Sequence, residues 1–194
     1  MIRSTFAAAL IALPAVVSAQ SLPLPPPANH APYRPSPPSP CVDAAHRQFS
    51  FWVGSWNVTA TGATKVIAHS QITSAYAGCA ILEHWAPIGQ KADGGSISSY
   101  VPAEHAWRQT WVDSSGARAE FKGGWDGQAM VLTGPWPLPD GRARIVRMTY
   151  TPGADGSVRQ AGEASFDDGR TWTPSFDFTY RPTPGVRPQP FLKR

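Results

Sequence analysis

Little in this 194-residue chain marks an enzyme or a nucleic-acid-binding protein. It lacks a Gly-x-Ser-x-Gly elbow, a phosphate-binding glycine loop and any Cys/His pair suited to nucleophilic catalysis. Its five histidines, His30, His46, His69, His84 and His105, form no HxH or HxxE spacing, so no metal site and no cofactor are expected. No apolar run is long enough to span a bilayer. Long uninterrupted helices are excluded by 21 Pro and 17 Gly. A basic footprint is also missing. The formal charge is +4, but residues 41–180 hold all 13 acids and 11 of the Lys and Arg, a net of −2. Nucleic acid is therefore not an expected partner.

The N-terminus has a short positive start (Arg3), a 12-residue apolar run from Phe6 to Val17, and small residues at Val17-Ser18-Ala19. That is the pattern of a secretory signal peptide over residues 1–19, and it predicts a periplasmic or secreted product. The residue directly after Ala19 is Gln20 and not a Cys that could carry a lipid. In an exported chain the two cysteines, Cys41 and Cys79, are most simply a disulfide, the alternative being free thiols acting as metal ligands. The bond would close a loop of 39 residues, for which the chain-entropy model gives roughly 4 kcal/mol. Residues 20–40 carry nine Pro and read as a stiff extended tether, with a length of about 65 Å at roughly 3.1 Å per residue. Such a stretch is otherwise a ligand for a proline-reading partner. Residues 181–194 read as a disordered tail.

Between tether and tail, short runs rich in Val, Ile, Thr and aromatic residues alternate with turn dipeptides. Asp126-Gly127, Asp140-Gly141, Asp155-Gly156 and Asp168-Gly169 fall 14, 15 and 13 residues apart. Asp-Gly suits tight hairpins, and the runs between have strand length. About ten strands are expected, starting near Trp56, Lys65, Cys79, Ser96, Trp107, Ala117, Gln128, Arg142, Ser157 and Phe176, with a helical turn only in Val42–Phe51. The predicted fold is all-β: an antiparallel up-and-down meander over 41–180 that closes into a barrel, since closure removes exposed strand edges.

The run Phe51-Trp52-Val53-Gly54-Ser55-Trp56 resembles the Gly-x-Trp that opens the first strand of calycins. The resemblance implies that Gly54, Trp56 and an Arg after the last strand, here Arg181, close one barrel end, with the Arg stacked on the Trp. The whole 41–180 region is similar to a family of uncharacterised secreted bacterial lipocalin-like domains. That similarity rests on Gly78-Cys79 with Glu83 and Trp85, Gly95, Ser96 and Tyr100, then Trp107, Gln109, Trp111, Val112, Asp113 and Gly116, and Glu163-Ala164-Ser165. It implies a fold but no activity. Haem-binding calycins of the nitrobindin type place their axial His on a late strand, and no His follows His105.

Ser165-Phe166-Asp167-Asp168-Gly169-Arg170-Thr171-Trp172 matches an Asp-box, in which Ser165, Asp167, Gly169, Thr171 and Trp172 build a hairpin turn. The motif recurs in sialidase-like propellers, but one copy in 140 residues reads as a structural turn.

All eight Trp lie in the domain. Alternation from Trp107 puts Trp107, Gln109, Trp111 and Asp113 on one face and the solvent-suited Arg108 on the other, so the Trp/Gln face should point inward. On the strand from Cys79, Glu83 shares a face with Ile81 and Trp85. Glu83 and Glu163 are the candidate interior acids, with Tyr100, Gln109 and Arg147 as partners. Together with Trp85, Trp107 and Trp111 they form the expected ligand-binding set.

Three functions follow from these readings. The first is an exported module binding a small apolar or amphipathic molecule in an aromatic lumen. The second is an envelope hydrolase acting on a glycan or small ester through Glu83 and Glu163. The third is a tethered structural module with an occluded barrel.

Overall fold

Ten strands follow one another as hairpins in a computed structural model that describes residues 41–89, 93–138 and 140–185. They are β1 Gly54–Ala60, β2 Val66–Ala75, β3 Ala80–Pro87, β4 Gly94–Val101, β5 Ala106–Asp113, β6 Arg118–Trp125, β7 Met130–Pro137, β8 Ala143–Pro152, β9 Val158–Ser165 and β10 Thr173–Pro182. Each begins within three residues of its expected start. The signal-peptide and tether readings, residues 1–40, lie outside the described residues, as does most of the expected tail. β10 itself runs two residues into that tail, and Thr183 N–H then donates to Ser55 O at 2.8 Å.

The regular Asp-Gly dipeptides sit in the last four hairpins. In the first three the Asp supplies an acceptor inside its own turn: Asp126 Oδ1 accepts from the backbone N–H of Gln128 and Ala129 at 2.8 Å each, Asp140 Oδ1 from Arg142 at 3.0 Å, and Asp155 Oδ1 from Ser157 at 3.0 Å. The following glycines take positive φ, 105° at Gly127 and 78° at Gly156, which a side chain would strain. In the Asp-box, Asp167 accepts from Thr171 N–H at 2.8 Å and from its hydroxyl at 2.6 Å, and Ser165 Oγ accepts from Gly169 N–H at 2.8 Å. Trp172 donates to Gly169 O at 3.0 Å.

Each strand pairs antiparallel with its neighbours in sequence, and β1 pairs with β10, setting Val58 opposite Tyr180. The sheet is thus a closed barrel with no free edge. Ion pairs lie along its outer wall, including Arg108–Glu104 and Arg159–Asp177, which suits a wall facing water.

One end of the barrel is plugged by the segment before β1. A four-residue helix, α1 (Ala44–Arg47), is capped by Asp43, and a 3₁₀ turn follows at Ser50–Trp52. A helix so short has little stability of its own. It is held by the Cys41–Cys79 disulfide and by two rings that enter the barrel. Phe49 and Trp52 are fully buried and stack with centroids 4.9 Å apart and planes 11° from parallel. Around them pack Trp107, Tyr150 and Tyr180. Trp56 donates its indole N–H to Trp52 O at 3.0 Å, and Trp107 donates to Gln48 Oε1 at 3.2 Å. No helix among the described residues is long and apolar enough to cross a membrane.

Candidate functional site

The opposite end is not filled. It holds a cavity of about 300 Å³. The wall is aromatic: Trp85 from β3, Trp111 from β5, Trp136 from β7, and Phe176 and Phe178 from β10. The same lining includes Glu83, Gln109, Phe121, Arg144, Val146, Met148, Tyr150, Gln160 and Tyr180. The inward alternation of each strand accounts for all of them, since residues two apart share a face.

Two glycines keep the rings against the wall. A Cβ on Gly162 would lie 2.2 Å from a carbon of the Phe176 ring, and one on Gly94 would lie 2.5 Å from the Trp111 ring. Both glycines sit on the inward face directly beside these rings, so each leaves a shelf on which an aromatic lies flat. With a side chain there, the ring would have to project into the lumen.

Beneath the rings is a polar floor. The Glu83 carboxylate accepts from Ser70 Oγ at 3.1 Å and from Ser96 Oγ at 3.0 Å. Register explains the trio, because Glu83 lies across from Ser96 on β4 and two residues, on the same face, from Trp85, the partner of Ser70 on β2. Tyr180 donates to Gln160 Oε1 at 2.6 Å, and Gln160 Nε2 donates to the Tyr150 hydroxyl at 3.0 Å. Gln109 Nε2 donates to Ser98 Oγ at 3.0 Å. Glu83 keeps some contact with the lumen, but protein surrounds its carboxylate at depth. Burial pushes its pKa from 4.5 up to about 7, against the two serine hydrogen bonds, which favour the charged form. Burial, reinforced by the nearby Glu83 charge, also raises both Tyr150 and Tyr180, so they stay neutral.

The structure gathers Glu83, Trp85, Gln109 and Trp111 of the expected set on the cavity. Trp107 and Tyr100 belong to the plugged end: Trp107 is buried in the core, and Tyr100 packs on it and on His46. Arg147 and Glu163 are corrections. They lie opposite each other on the outer wall, where Arg147 Nη2 and Glu163 Oε2 pair at 2.8 Å and the guanidinium lies 4.1 Å above the Trp172 ring. The inward places on β9 go to Gln160, Gly162 and Ala164, and Glu163 falls between the last two, on the opposite face of the pleat. Glu83 and Glu163 thus sit on opposite sides of the wall, so the two-carboxylate hydrolase has no pair to work with. Arg181 is a third correction. Following the inward Tyr180, it must point outward, and it donates to Thr59 Oγ1 at 3.3 Å. Trp56 meets Tyr180 edge-on instead, at 6.3 Å.

Unexpected members of the site include Trp136, Phe176, Phe178, Gln160 and Arg144. The alternation Phe176-Asp177-Phe178-Thr179-Tyr180 carries the signal for β10: aromatics in, polar residues out. No protein-family model matches this chain, and no curated protein sequence matches it.

Proposed function

We propose that this protein is a calycin-like binding module that holds one small, largely aromatic molecule in the open end of its barrel. The observation that carries the reading is a ring-lined, unfilled cavity above a hydrogen-bonded polar floor, in a barrel whose other end is packed solid. Lumens of this kind bind by enclosing apolar surface, and a few polar groups set orientation. A cavity of about 150 Å³ takes one benzene ring, so this one suits a molecule of about two rings rather than a long lipid. The likeness to secreted lipocalin-like domains belongs to the same proposal. So does export: an oxidised Cys41–Cys79 pair fits an extracytoplasmic compartment, and residues 1–19 have the sequence of a leader.

A neutral two-ring probe, 2-naphthamide, titrated against the tryptophan emission tests this. Saturable binding with one site is expected, weakened about tenfold in Trp111→Ala as the ring contact is removed. A flat titration to the limit of probe solubility would refute the module.

A further inference from the structure

Arg144 stands apart from the other arginines of the barrel. Arg108, Arg118, Arg142, Arg147 and Arg159 each grip a carboxylate on the outer wall or at a turn. Arg144 instead follows the inward parity of β8, with Val146, Met148 and Tyr150, and lines the cavity. It is the second residue of β8, across from Trp136, and so lies near the open end. Its Nε is buried and finds no hydrogen-bond partner among the described residues. The acid on the same lumen does not serve it: Glu83 takes its hydrogen bonds from Ser70 and Ser96 on the floor.

A buried guanidinium donor without an acceptor is unfavourable, and a cation among rings has lost part of its hydration. The unfilled cavity borders Arg144. An anion with two coplanar oxygens would satisfy a guanidinium fork in a way that water or an amide does not. We propose that Arg144 is an anion-binding residue and that the ligand is a small aromatic carboxylate. Its acid group lies at Arg144 near the mouth, and its ring system lies between Trp85, Trp111 and Trp136. This rests on the aromatic cavity being a binding site and adds the charge of what fills it.

The test pairs two probes of one shape, 2-naphthoate and 2-naphthamide, titrated by calorimetry against the full chain near pH about 6, where the naphthoate is ionised and Glu83 is mostly neutral. The wild-type protein should bind the acid about tenfold or more tightly than the amide. Arg144→Met should bind the acid and the amide equally, and Arg144→Lys should keep part of the preference. Near-UV circular dichroism establishes that each variant retains the packed rings of the closed end. Equal affinity of the wild type for both probes overturns the anion assignment, as does a preference that persists in Arg144→Met, and either leaves the aromatic cavity standing. Failure of both probes to bind overturns the cavity reading as well.

Discussion

The two ends of this barrel are built from the same strands and the same in-out alternation, yet one is solid and the other is hollow. At the closed end two rings from outside the sheet join those of the strands: Phe49 and Trp52 are delivered by the segment before β1 and stack on each other within the barrel. At the open end every ring comes from a strand, and Phe176 and Trp111 lie against Gly162 and Gly94 instead of reaching across. Aromatic content therefore does not decide whether a barrel is filled. What decides it is whether an extra segment supplies side chains to the axis, and whether small residues beside the rings let them lie back. Stability should depend on the first arrangement and binding on the second.

Removing a ring from each end gives the largest contrast. Trp52→Ala should lose about 3–5 kcal/mol of unfolding free energy, because a fully enclosed ring leaves a cavity no neighbour can collapse into. Trp111→Ala should lose only about 1 kcal/mol, since it lines space that is already open, while it weakens probe binding. Urea denaturation of both variants measures this, and similar losses at the two ends would erase the distinction.

The disulfide acts on the closed end alone. Replacing Cys41 and Cys79 with Ser should lower stability by about 2–4 kcal/mol by freeing the plug segment from β3. The barrel's far end should still bind its probe once folded.

The open end has its own pH dependence, set by Glu83. Below about pH 4.5 the carboxyl is neutral in both folded and unfolded chains. Between there and about pH 7 the folded protein keeps a proton that the unfolded chain gives up, so its contribution to stability falls as pH rises through that window and is flat above it. Glu83→Gln should therefore match wild type near pH about 4 and exceed it by about 3 kcal/mol at pH about 8. Denaturation midpoints of the pair across that range check it. A constant difference would place Glu83 in water.

Filling the shelf should change stability as little as Trp111→Ala does. Gly162→Ala forces the Phe176 ring toward the axis. It should reduce probe affinity about tenfold for a stability change of about 1 kcal/mol. Unchanged affinity would show that the ring has room to move outward.

The fold was readable because its turns announce themselves. Asp-Gly pairs at near-constant spacing mark the last four hairpins, and the alternation around Trp107 to Asp113 has a charged face that only water suits. The site was readable in part for the same reason, since Glu83, Trp85, Gln109 and Trp111 share faces with bulky neighbours. β9 was harder. In Val158-Arg159-Gln160-Ala161-Gly162-Glu163 the inward residues are as polar or as small as the outward ones, so a one-residue slip puts Glu163 inside with little visible penalty. Arg181 was placed by likeness rather than parity, and parity after Tyr180 turns it outward. Arg144 lies in a strand start with Arg142 just before it and Arg147 just after. Nothing local distinguishes which of the three lacks a carboxylate, because the partners of the other two come from a turn and from another strand.

Indole N–H resonances of the eight tryptophans, followed by nitrogen-15 correlation spectra during titration with 2-naphthamide, test the division of the barrel most directly. Trp85, Trp111 and Trp136 should shift together to saturation, while Trp52, Trp56 and Trp107 hold their positions. Movement of the closed-end indoles in place of those three, or a spectrum that the probe leaves untouched, would contradict the account.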